Sequence, residues 1–195
     1  MSVLQVMLLT GQSDPTSCAL SPVQRAFLDA LPLPAADKVP LNFPYADDTA
    51  AWRPVWLLLA SARHVRQYTA SQRPAFVARH RDGLRARLER AERTLILAGS
   101  LGLELLINLQ LPREALDRLH VFAYGPVARQ RLDCDCLLVQ GRRDWISRLW
   151  FPAVDRRVDC GHMDYLESPE VLALCVDVVR RLAAENREAR SRAAG

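Results

Sequence analysis

Ser100 stands where chemistry is easiest to build. Leu95, Ile96 and Leu97 run into Ala98-Gly99-Ser100-Leu101-Gly102, and Leu103 to Leu109 resume an apolar pattern compatible with a helix. Strand, sharp turn and helix follow one another with a serine at the apex. That is the anatomy of a nucleophile elbow, in which small flanking residues let the strand and the helix pass closely. Gly102 meets the demand, and Ala98, standing where the G-x-S-x-G pattern has glycine, is still small. At the amino end of the helix the backbone N–H of Leu101 can face a developing oxyanion, so the chemistry suggested is acyl transfer. The competing reading is a strand-to-helix turn with an N-capping serine.

A serine hydroxyl is a poor nucleophile at neutral pH. It needs a histidine to take its proton and an acid to fix the tautomer of that histidine and stabilise its imidazolium form. The chain offers both. Leu137 to Gly141 followed by Arg142-Arg143-Asp144 puts an aspartate beyond a strand and a glycine turn, and Val158-Asp159-Cys160-Gly161-His162 puts a histidine beyond the next strand. Each has a plain alternative: Asp144 bracing Arg142 or Arg143, His162 hydrogen-bonded within its loop. Asp133, Asp135, Asp159 and Asp164 are rival acids; Asp144 is preferred because it alone directly follows a long buried strand and a glycine turn. His64, His80 and His120 read as surface or packing residues.

The elements that must hold these groups alternate along the chain. Strands are expected at Val3 to Leu9, Val39 to Phe43, 95 to 98, Leu119 to Tyr124, Cys134 to Gln140 and Arg157 to Cys160. Helices are expected after the Ser21 cap and Pro22, over Trp52 to Val65, over Ser71 to Arg93, through the elbow, and from Ser168 to Leu182. Val23, Phe27, Leu28 and Leu31 would face the core from the first, and Trp52, Val55, Trp56, Leu59 and Ala60 from the second. The pattern predicts an α/β fold: a mostly parallel sheet of about six strands, helices on both faces, in one domain over residues 1–185 with a frayed polar tail over 186–195. In such a sheet functional residues gather beyond the carboxyl ends of the strands, where Gln12, Ser100, Asp144 and His162 all fall.

With nucleophile, acid and histidine in the order Ser100, Asp144, His162, each on a loop after a strand, the chain resembles the α/β-hydrolase superfamily from about residue 3 to 182. Leu97 to Gly102, Gly141 to Asp144 and Cys160 to Glu170 carry the resemblance most strongly. It implies Ser100 as nucleophile, His162 as general base and then acid, and Asp144 as its orienter. It also implies one oxyanion donor at Leu101 and a second in the loop after the first strand, at Gln12, although the His-Gly pair often found there in the family is absent. The helical segment 46–93 is the candidate lid, with Trp52, Trp56, Tyr68 and Phe76 as candidate walls of an acyl pocket.

Composition bounds the partners. The chain has 195 residues, 50% hydrophobic and 25% charged, with a net charge of +4 carried by arginines, Lys38 being the only lysine. That balance, without a recognisable binding module, argues against nucleic acid. No apolar run approaches the ~20 residues that span a bilayer, and Met1 to Thr10 reads as a first strand, not a signal peptide. Cys18, Cys134, Cys136, Cys160 and Cys175 form no metal-ligand spacing and fit reduced thiols. The expectation is a cytoplasmic serine hydrolase without a cofactor or membrane partner, acting on a small acyl ester or thioester. Coenzyme A or an acyl carrier protein could meet the arginines of Arg79 to Arg93. The alternative is a hydrolase-like fold that binds a ligand or partner without chemistry.

Overall fold

A computed structural model describes residues 2–47 and 49–193. Its centre is a sheet of five parallel strands in sequence order: β1 (Ser2–Thr10), β2 (Ala91–Gly99), β3 (Leu119–Tyr124), β4 (Asp135–Gly141) and β5 (Arg156–Val158). Side chains alternate across it, as the period of a strand requires. Leu4, Val6 and Leu8 of β1 join Leu95 and Leu97 of β2 on one face, where α1 (Pro22–Ala30) and α7 (Pro169–Ala193) cover them with Phe27, Leu28, Val171, Cys175 and Val179. Met7, Leu9, Ile96 and Ala98 point the other way, under α3 (Pro74–Leu88) and α4 (Gly102–Asn108), which bring Leu84, Leu88, Leu103 and Leu106. The remaining helices are α2 (Leu57–Ser71), α5 (Arg113–Leu116) and α6 (Trp145–Trp150). The fold is therefore α/β with helices on both faces. Sheets buried on both sides need apolar residues at nearly every central position, which is why β1 and β2 read as continuous runs.

Four sequence expectations change. The sheet has five strands and not six, because Val39 to Phe43 is no strand. Val39 N–H donates to Val6 O at 2.9 Å, but Pro40 has no N–H to continue a ladder. The helix expected from Trp52 starts at Leu57: Trp56 is its extended N-cap, and Pro54 disfavours helical backbone at Arg53. Trp52, Trp56 and Leu59 are consequently exposed rather than core-facing, as is Val23 on α1. The helix expected to reach Arg93 ends at Leu88, and Ala91 opens β2 opposite Ser2. Finally, α7 continues to Ala193 where a frayed tail was expected. Asn186 donates to Val3 O at 3.2 Å and Arg190 pairs with Glu92, contacts to the start of the sheet that local sequence does not reveal. Residues 194–195 lie outside the described residues.

Candidate active site

Three strand ends converge on Ser100. The serine leaves β2 with φ +50°, a left-handed conformation that L side chains adopt only when their surroundings enforce it. Its N–H donates to Tyr124 O and its carbonyl accepts from Val127 N–H, both at 3.0 Å, so the loop after β3 pins the turn. Gly102 explains the next constraint. A Cβ there would lie 1.8 Å from Leu9 O, so the amino end of α4 passes over β1 at a distance only glycine permits. Ala98, by contrast, is fully buried on the sheet face without such a demand. Ser100 is therefore the apex of a strained turn, and no longer a simple helix cap: α4 has Leu101 at its N-cap position with no side-chain cap.

Ser100 Oγ lies 3.1 Å from His162 Nε2, and His162 Nδ1 lies 2.9 Å from Asp144 Oδ2. The structure thus brings together the three residues singled out in the sequence as one hydrogen-bonded chain. Asp144 is wholly buried, and it also N-caps α6, Oδ1 accepting from Ser147 N–H at 2.9 Å. Tyr165 O–H donates to Asp144 Oδ2 at 2.6 Å while its oxygen accepts from Gly141 N–H at 2.6 Å. Burial alone would raise the carboxyl, but hydrogen bonds from His162, Tyr165 and Ser147 outweigh it and hold the group below its ordinary value. Burial, and the bond to Asp144, push the Tyr165 phenol well above its ordinary value, so it stays a donor.

The rival acids are engaged elsewhere. Asp135 binds His120 and Arg181, Asp133 binds Arg113, Asp159 binds Arg143, and Asp164 accepts from Gly161 N–H in its own loop. His80 packs between Phe43 and Phe76, and His120 is buried at the start of β3.

Of the two amides expected to face an oxyanion, one is open and one occupied. Among the described residues the N–H of Leu101 donates to no backbone acceptor outside regular elements and to no side chain. Gln12 N–H, in contrast, donates to Gln67 Oε1 of α2 at 2.9 Å. Beside it the His64 ring packs on Gly11, where a Cβ would meet the imidazole at 2.8 Å, and its Nε2 lies 3.2 Å from Ser13 Oγ. Burial holds His64 below its ordinary value, against a hydrogen bond to Gly11 that raises it and with a smaller lowering from His162. His64 and Gln67 were not legible as site residues: one helix face, three positions apart, carries both onto a loop more than fifty residues earlier. Tyr165 was equally hidden, since nothing in a single sequence marks a tyrosine as a carboxylate clamp.

The expected aromatic pocket does not form as drawn. Trp52 and Trp56 are exposed, Phe76 packs on Phe43 in the core, and Tyr68 packs against Trp150 in a tilted pair, ring centroids 5.7 Å apart. On α3, Arg85 pairs with Asp82 and Glu89, and Arg87 with Asp47. Among known proteins, no family model matches the chain and no curated protein matches it in sequence.

Tyr165→Phe tests the clamp. It removes a hydrogen bond from a buried carboxylate and leaves Gly141 N–H unpaired, a loss of about 1–3 kcal/mol in urea unfolding at pH 7. Because Asp144 is depressed in the folded state, its contribution is complete above the unfolded value of 3.8 and is lost as pH falls through the folded one. The gap between wild type and variant therefore narrows on acidification below pH 3.8; a gap that widens there contradicts this assignment.

Proposed function

We propose that the chain is a serine hydrolase of the α/β-hydrolase kind, cleaving an ester or thioester through an acyl-enzyme intermediate. The observation that carries the reading is the continuous chain from Ser100 Oγ through His162 to a buried, ionised Asp144, starting at a serine with φ +50°. In the acylation step His162 Nε2 takes the Ser100 proton as Oγ bonds to the acyl carbon. The carbonyl oxygen becomes an oxyanion facing Leu101 N–H. Collapse breaks the bond to the alkoxide or thiolate, which leaves with the proton from His162. Water repeats the sequence in deacylation, giving its proton to His162 and releasing the acid and the free serine. Asp144 stays ionised throughout and stabilises the imidazolium form. No group beyond these residues is required.

The alternative is a hydrolase-like scaffold that binds without chemistry, and its one support is Gln67, which occupies the amide of Gln12. In the hydrolase reading Gln67 is a surrogate for the substrate oxygen, and α2, within the candidate lid 46–93, must release it before Gln12 can serve as the second oxyanion donor. A small-molecule acyl ester or thioester is the substrate class; the carrier reading gains nothing from Arg85 and Arg87, whose charges are already matched.

Ser100→Ala separates the two readings. Turnover of short p-nitrophenyl esters or acyl thioesters should fall by about 10³-fold or more from the wild type to the variant; unchanged turnover in an active preparation removes Ser100 from the reaction, and no turnover by the wild type with either leaving group favours binding alone. Gln67 gives a second prediction. Gln67→Glu sets a carboxylate against the developing oxyanion and lowers kcat/KM by about tenfold or more, while Gln67→Ala does not lower it. Equal loss in both variants makes Gln67 a structural support instead of a competitor.

A further inference from the structure

Helix α6 is turned inside out. Its inward residue is Ser147, fully buried, whose N–H donates to the capping carboxylate of Asp144 and whose Oγ accepts from buried Gln140 at 3.2 Å. That polar seam leaves Trp145 and Leu149, one turn apart on the other side, 69% and 77% exposed. Large apolar side chains on an outward helix face carry no folding benefit, and contiguous apolar surface of this kind marks a contact with something else. Beside it Met163, the residue after His162, is 70% exposed, and Tyr68 on Trp150 joins α6 to α2, which presents exposed Val65. Trp145 and Met163 are chain neighbours of Asp144 and His162, so this apolar surface borders the Ser100–His162–Asp144 chain.

The charge around them is mainly positive: Asp164, beside Met163, is exposed, and Asp159 is paired with Arg143, but three arginines stand unmatched. Arg66, Arg142 and Arg148 are exposed, and among the described residues none forms an ion pair. Arginines that bury their stems in an interface and keep their heads in a layer of anions suit a negatively charged surface. Tryptophan, leucine and methionine projecting outward suit insertion into a lipid interface.

We infer that this face, α6 with Met163 and the adjoining side of α2, seats the protein on an anionic lipid surface. No helix among the described residues is long and apolar enough to cross a membrane, and none is needed. The sequence expectation of no membrane partner weighed only the length of apolar runs. A face built from a capped helix of six residues escapes that criterion. The inference is independent of the hydrolase reading, since adsorption requires no reaction at Ser100.

Co-sedimentation with lipid vesicles tests it, using the full chain carrying Ser100→Ala so that lipid is not consumed. The protein should pellet with mixed phosphatidylcholine–phosphatidylglycerol vesicles, less with phosphatidylcholine alone, and less at high salt. Trp145→Ser/Leu149→Ser and, separately, Arg142→Glu/Arg148→Glu should each weaken binding roughly tenfold with unchanged circular dichroism. Absence of binding to either vesicle overturns the inference, as does binding that neither double variant weakens. Sedimentation velocity covers the rival occupant: a dimer that Trp145→Ser/Leu149→Ser dissociates, with no vesicle binding, assigns the face to a second copy of the chain.

Discussion

Taking an ionised carboxylate out of water costs several kcal/mol unless its oxygens are met by hydrogen bonds. Asp144 is wholly buried and meets that cost with three donors: the Ser147 amide, the Tyr165 hydroxyl and the His162 ring. Each donor fixes an element. Ser147 starts α6 at the aspartate, Tyr165 ties the short turn before α7 to the end of β4 through Gly141, and His162 is oriented with its second nitrogen toward Ser100. The carboxylate therefore organises the carboxyl edge of β4 and β5, and it does so only while ionised. Loss of any one donor leaves the charge less well solvated than in the unfolded chain.

Opposite this acid, the serine is held by backbone geometry. A left-handed residue costs on the order of 1–3 kcal/mol, and the surroundings must impose it. Here they are the paired amide and carbonyl of Ser100 against the loop after β3, and the tight pass of Gly102 over Leu9. Strain on one side and a buried charge on the other meet at the His162 ring, which is the condition for a hydroxyl to be both exposed to substrate and within reach of a base. The same buried seam, through Gln140 and Ser147, turns the apolar side of α6 outward. The hydrogen-bonded chain at Ser100 and the outward apolar side of α6 thus share a structural cause.

Much of this was legible because it is written locally. Apolar runs gave β1 to β4, Ser21 with Pro22 gave the cap of α1, and small residues around Ser100 gave the turn. The order of Ser100, Asp144 and His162 gave their meeting at one edge, since parallel strands bring successive loops together. What failed was written at a distance or hidden by coincident period. Pro40 ended a strand that the pattern of Val39 and Leu41 suggested, Ala91 fitted the helical period while belonging to β2, and Trp56 fitted a core position on a helix that starts after it. Gln67, His64 and Tyr165 act across dozens of residues, and only packing reveals them.

In the proposed mechanism Ser100 is an activated nucleophile whose reactivity depends on His162 and Asp144. Labelling with a fluorophosphonate probe, followed by peptide mass spectrometry, measures that directly. The account predicts a covalent adduct on Ser100 alone, absent in Ser100→Ala and slowed by about 10³-fold or more in His162→Ala and Asp144→Asn. An unlabelled Ser100, or labelling as fast without His162 as with it, would contradict it.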